Sequence, residues 1–194
     1  METPLPTPSA SKPNTPQRTR RFVAGFALAG LICIPVLLDI LVQRATHESS
    51  LQPGDAVPPA TLQDLHGNRL AIADYRGKRL ALIFFKVDCS HCQRGLARLD
   101  PLCYSFKEEI NFLAVSLSDA RSTEEFVQTN QLKMKAVLDI EGEARHAFGV
   151  AELPALFLVN EQQVIRYRMF GEQPMGAMRK LLTAFCGTQD RAIE

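Results

Sequence analysis

The pattern of apolar and polar positions changes character near residue 50. Phe22 to Val42 is an apolar run of 21 residues with one charge, Asp39. At 1.5 Å per helical residue it reaches about 31 Å, enough for a hydrocarbon core of ~30 Å. It exceeds the roughly 7–15 apolar residues of a cleaved signal peptide, and Gln43-Arg44-Ala45-Thr46-His47 makes a weak cleavage site. The run therefore predicts an uncleaved transmembrane anchor over 22–42, in which Pro35 is tolerable and Cys33 is a small apolar filler. Residues 1–17 are rich in Pro, Thr and Ser and cannot bury enough apolar surface to fold, so residues 1–21 read as a disordered tail. Residues 43–50 read as a linker, and Pro53-Gly54 and Pro58-Pro59 keep the chain irregular to about residue 60.

Beyond residue 60 the apolar runs are short and alternate in period. Thr61–Leu65 and Arg69–Ile72, joined by His66-Gly67-Asn68, predict a hairpin. Asp74 to Lys78 predicts a turn into a central buried strand, Arg79–Lys86. From Ser90 to about Glu109 the residues Leu96, Leu99, Cys103 and Phe106 recur at steps of three and four, one face of a helix with a kink at Pro101. Ile110–Leu117 predicts the next buried strand. Ser122, with Glu125 three residues on, predicts a capping box. A short strand at Ala136–Leu138 and a short helix at Glu143–Phe148 follow. Leu153–Val159 predicts a strand with Pro154 at its mouth, where the missing N–H breaks no ladder. Gln163–Phe170 predicts an outer strand, and Pro174–Phe185 a last helix. Residues 188–194 are a tail.

Composition changes this picture little, and charge changes it more. The chain has 194 residues, 46% of them hydrophobic, with a net charge of +1. That is one domain of ordinary size plus extra segments. Residues 1–45 carry five Lys/Arg against two acids, and the rest 17 against 19. Arg18, Arg20 and Arg21 precede the apolar run and only Arg44 closely follows it. The positive-inside rule then leaves the tail in the cytoplasm and exports the main domain. No basic stripe with interleaved aromatics marks a nucleic-acid partner.

The chemistry-bearing stretch is Phe84 to Gln93. Cys89 and Cys92 stand two residues apart where a strand gives way to a helix. Unpaired N–H groups and the dipole at a helix N-terminus favour an anion, hence a thiolate, the species that attacks disulfides. The spacing also opens many zinc sites, but Cys103 and Cys186 stand alone and no second pair completes a tetrahedron. The reading is a redox dithiol with no metal and no cofactor. Cys103 and Cys186 read as structural.

Taken in order, Pro53-Gly54-Asp55-Ala56-Val57-Pro58, His66-Gly67-Asn68, Tyr75-Arg76-Gly77-Lys78, Cys89-Ser90-His91-Cys92 and Leu153-Pro154 resemble the thioredoxin superfamily. Within it the chain is similar to the membrane-anchored TlpA/ResA-like thiol-disulfide oxidoreductases over about residues 51–187. The resemblance implies an α/β, thioredoxin-like fold: a central mixed sheet flanked by helices, with an N-terminal hairpin extension and one N-terminal transmembrane helix. It implies that Cys89 is the attacking cysteine and Cys92 the buried resolving one. Pro154 matches the cis-proline that packs against the disulfide. Leu153 would offer backbone to an extended substrate, beside Ser90. The departures are specific. Asp88 stands where the family carries Trp, and the chain has no Trp. The family's acids, proton acceptors for the resolving cysteine, would fall at Ile83 and Gly95.

The implied function is reduction of exported proteins' cysteines, in cytochrome c maturation or copper-site assembly, by a domain held in the periplasm from the bacterial inner membrane. The implied partners are protein disulfides or dithiols and a membrane-embedded electron donor of the DsbD/CcdA type. Three alternatives stay open. His91 directly precedes the second cysteine, as in the oxidant DsbA. A peroxiredoxin-like peroxidase would need Pro and Thr where Leu82 and Lys86 stand. A Sco-like copper chaperone would bind copper through Cys89 and Cys92 with a distant His, for which His146 is the candidate.

Overall fold

The computed structural model describes residues 51–187. The tail, anchor and linker expected over 1–50 and the tail at 188–194 lie outside the described residues. Among the described residues no helix is long and apolar enough to cross a membrane.

The strands are β1 (Thr61–Asp64), β2 (Arg69–Ala71), β3 (Arg79–Phe85), β4 (Ile110–Ser116), β5 (Lys135–Leu138), β6 (Ala155–Val159) and β7 (Ile165–Phe170). They form one mixed sheet in the order β2-β1-β5-β4-β3-β6-β7. β4 lies parallel to both β3 and β5, whereas β6 runs antiparallel to β3 and β7 antiparallel to β6. β1 and β2 pair as a hairpin whose first strand joins β5 antiparallel. The helices are α1 (Ser90–Phe106), α2 (Ala120–Asn130), α3 (Glu143–Ala147) and α4 (Met175–Gly187).

β3 is apolar along its whole length because both of its faces are covered. Ala81, Ile83 and Phe85 point to one side, where Leu96, Leu99 and Leu102 of α1 and Met178, Leu182 and Phe185 of α4 close the core. Leu80, Leu82 and Phe84 point to the other, against Ile72, Ala144, Phe148 and Phe157. Helices on both faces of a mixed sheet are the thioredoxin-like architecture expected from the sequence.

Two local expectations are corrected. The cap of α2 is Asp119, not Ser122: Asp119 Oδ1 accepts the Ser122 N–H at 2.9 Å, and the helix starts at Ala120. Both residue types cap well, and the position of the last ladder bond of β4 decides between them. Ile72, fully buried, leaves the strand and opens a 3₁₀ turn, Ile72–Tyr75, with Asp74 Oδ2 accepting the Ala71 N–H. The expected helix α1 runs through Pro101 to Phe106, held by the buried face of Leu96, Leu99, Leu102 and Cys103.

Candidate active site at the head of the first helix

The site sits where β3 hands over to α1. Cys89 is the N-cap of α1, in extended backbone, and its Sγ accepts the Cys92 N–H at 3.2 Å. An N-cap side chain satisfies one of the orphan donors of the first turn, and here the acceptor is sulfur. Cys89 is half-buried and Cys92 fully buried, and both are free thiols. Burial, reinforced by the contact with Cys89, pushes the Cys92 thiol up to about 12. The two sulfurs are thus unequal: one sits at the surface at a dipole terminus, the other in the apolar core.

Strand register brings Pro154 to this point. Phe84 pairs with Ala155 across the antiparallel β3/β6 ladder, so the residue before β6 falls beside the end of β3. The Leu153–Pro154 peptide bond is cis and Pro154 is buried. A Cβ on Gly95 would stand 3.2 Å from Pro154 Cγ, so the proline ring packs directly on α1 one turn after Cys92. Leu153 is half-buried, Ser90 is exposed as the first residue of α1, and His91 is exposed on the same turn. The structure therefore gathers Cys89, Ser90, His91, Cys92, Leu153 and Pro154 at one end of the sheet.

The two positions at which the resemblance would put an acid line one small apolar cleft. Ile83 and Gly95 face Leu99, Pro154, Leu156, Met169 and Met178 there. His146 lies on α3, packed over the opposite face of the sheet from α1. Among the described residues no three His, Cys, Asp or Glu side chains gather as a metal-ligand group.

A cluster absent from the sequence reading borders the cysteines. Gly171 follows β7 with φ +74°, and its N–H donates to Pro154 O at 2.8 Å. That turn delivers Glu172 onto α1. Glu172 Oε2 accepts from Arg94 Nε at 2.9 Å, and Oε1 pairs with Arg98 Nη1 at 2.6 Å. His91 Nδ1 stands 2.9 Å from Arg94 Nη2 and 3.3 Å from Glu172 Oε2. With Nδ1 bare it accepts from Arg94; with a hydrogen on Nδ1 it donates to Glu172. The Arg94 guanidinium, with smaller help from His91, holds the Glu172 carboxyl below its usual range. Spacing gives a signal for the basic half only, since 91, 94 and 98 share a helix face.

Comparison with known proteins points the same way. The chain is 25% identical over 157 residues to the thiol-disulfide oxidoreductase ResA of Geobacillus kaustophilus, covering 80% of this chain and 90% of that one. It is 28% identical over 152 residues to ResA of Geobacillus thermodenitrificans, covering 77% and 87%. Among solved structures it is similar to StoA from Bacillus subtilis, with a TM-score of 0.57 and 20% identity over 65% of this chain and 97% of that one. It is also similar to the thioredoxin domain of a thiol-disulfide oxidoreductase from Bacteroides vulgatus, with a TM-score of 0.63 and 21% identity over 71% and 100%. The AhpC/TSA family model matches residues 53–168, more than half of the chain and all of the structure that carries the cysteine pair and the proline, so the chain belongs to the AhpC/TSA family.

Proposed function

We propose that this protein is a thiol-disulfide oxidoreductase that works through Cys89 and Cys92. The observation that carries the reading is the unequal pair: an N-cap cysteine at the surface, receiving an N–H, over a buried thiol pushed up to about 12. Cys89 as thiolate attacks one sulfur of a protein disulfide. A mixed disulfide forms, and the other substrate sulfur leaves as a thiolate. Cys92, losing its proton, then attacks Cys89 and expels the second substrate thiolate. Two electrons pass to the substrate, and an 89–92 disulfide remains until a reductant restores the dithiol. Pro154 shapes the groove beside Cys89, and Leu153 and Ser90 offer backbone and hydroxyl to an extended substrate segment.

The favoured direction is reduction of exported proteins, such as those of cytochrome c maturation or copper-site assembly. The apolar run at 22–42 and the arginines before it support a single-pass anchor in the bacterial inner membrane with residues 51–187 in the periplasm. Electrons would then come from a membrane donor of the DsbD/CcdA type. The test begins with Cys92→Ser, which should accumulate mixed disulfides through Cys89, whereas Cys89→Ser should accumulate none. The reduction potential sets the direction. A value near about −270 mV supports a reductase, and one near about −120 mV makes the protein an oxidant. A protein with no reversible two-electron couple would refute exchange altogether. Protease protection of residues 51–187 in spheroplasts would refute the topology.

A further inference from the structure

Three basic side chains stand on one face of the first three turns of α1, and one carboxylate from elsewhere in the chain meets all of them. His91, Arg94 and Arg98 are 66%, 49% and 42% exposed, while Glu172 is only 15% exposed between them. Only His91 lies in the first turn, where a positive charge opposes the helix dipole; Arg94 and Arg98 follow on the same face. They also add positive potential at the helix end where Cys89 sits. Positive potential favours a thiolate, hence the dithiol over the disulfide, and so makes a couple more oxidising. A carboxylate among these cations offsets one unit of that positive charge.

We propose that Glu172 is a positioning residue of the redox pair: by pairing with Arg94, Arg98 and His91 it withholds positive charge from Cys89 and holds the 89/92 couple on the reducing side. The inference rests on the exchange reaction proposed above. The groups facing His91 are Arg94 and Arg98 on its own helix and Glu172 on the β7–α4 connection. Lys86 and Asp88 lie in the β3–α1 connection and Glu152 precedes the cis bond. Their charges are the same in every variant compared. The geometry carries a second consequence. Because Gly171 is bonded to Pro154, the ion pairs of Glu172 also tie α1 to the proline loop.

The test is the equilibrium of the full-length chain, in mild detergent, with glutathione. The dithiol and glutathione disulfide give the 89–92 disulfide and two glutathione thiols; one S–S bond breaks and one forms. The oxidised fraction is read on the peptide carrying Cys89 and Cys92. Glu172→Gln should shift the constant about three- to tenfold toward the dithiol, tenfold being about 30 mV. The pH profile of Cys89 alkylation should move to lower pH. Adding Arg94→Gln and Arg98→Gln to that variant should return the constant toward that of the unaltered protein. The same two substitutions with Glu172 in place should shift it toward the disulfide, which keeps the test open if Glu172→Gln fails to fold. An unchanged constant, a shift of the opposite sign, or a shift that survives loss of both arginines would overturn the inference. An unaltered protein that shows no exchange refutes the proposed function instead, and one that equilibrates identically to Glu172→Gln refutes this inference alone.

Discussion

At the scale of single residues, the proposed exchange turns on where the Cys92 proton goes. The small cleft beside Pro154 is mostly apolar, and positions 83 and 95, where the resemblance would put acids, are Ile83 and Gly95 on its lining. A thiol pushed up to about 12 is almost wholly protonated near neutrality. Its thiolate fraction rises about tenfold for each pH unit below that value. The resolving step, followed as single-turnover release from a Cys89 mixed disulfide, should therefore speed up about tenfold per unit from pH 6 to 9. A plateau inside that range would mean that another group accepts the proton. Gly95 has a different constraint. Glycine inside a helix costs roughly 1 kcal/mol against alanine. Gly95→Ala regains that, but its Cβ meets Pro154 Cγ at 3.2 Å, closer than ordinary contact. The expected outcome is a thermal midpoint changed little and a slower exchange with protein substrates, because the proline is what must give way. Unchanged exchange would show that the ring moves freely.

At the scale of elements, each helix is fixed by one end and one face. The helix α1 takes its cap from Cys89, so in the proposed exchange the group that starts the helix is also the nucleophile. The helix α2 ends at Gln131, with φ 50° and ψ 43°, the left-handed conformation in which glycine is preferred. Gln131 is exposed, its N–H closing on Gln128 O and the next N–H on Val127 O. Gln131→Gly keeps both bonds and removes the Cβ clash, and should stabilise the protein by about 1 kcal/mol. Urea unfolding checks this, and a lower midpoint would refute it. The caps were less legible than the helices. The run Ser118 to Glu125 offers Asp119 and Ser122 as rival caps, and sequence spacing alone favours Ser122 with Glu125. Asp119 prevails because β4 ends at Ser116, and Asp139 N–H takes the Ser116 carbonyl, leaving only two residues before the first turn.

At the scale of the whole molecule, the sheet is the instrument that assembles the site. Ala155 pairs with Phe84 on one side and Phe170 on the other, so three distant segments end together: the cysteine turn, the cis bond and the Gly171-Glu172 turn. The far face is held by packed rings. Phe157 lies edge-on to Phe84, Phe148 and Phe170 with ring centroids 5.8, 5.1 and 6.2 Å away. Phe157→Ala should cost about 3–5 kcal/mol through lost burial and the cavity left behind. Its effect on the potential should be small, since the cavity opens on the side of the sheet away from α1; calorimetry and the glutathione equilibrium together check both parts. Much of this architecture was legible in the chain. Period two and period three to four are local properties of a backbone, so the strands, the amphipathic α1 and α4, the buried β3 and the Cys89/Cys92 pair could be read from the residues. Pro154 could be assigned to a strand mouth for the same local reason, the N–H it lacks. Which residues meet across the sheet is not local. The contact of Gly95 with Pro154, the burial that separates Cys92 from Cys89, and the landing of Glu172 on His91, Arg94 and Arg98 depend on register between strands some 70 to 80 residues apart, and electrostatic fields act through space rather than along the chain.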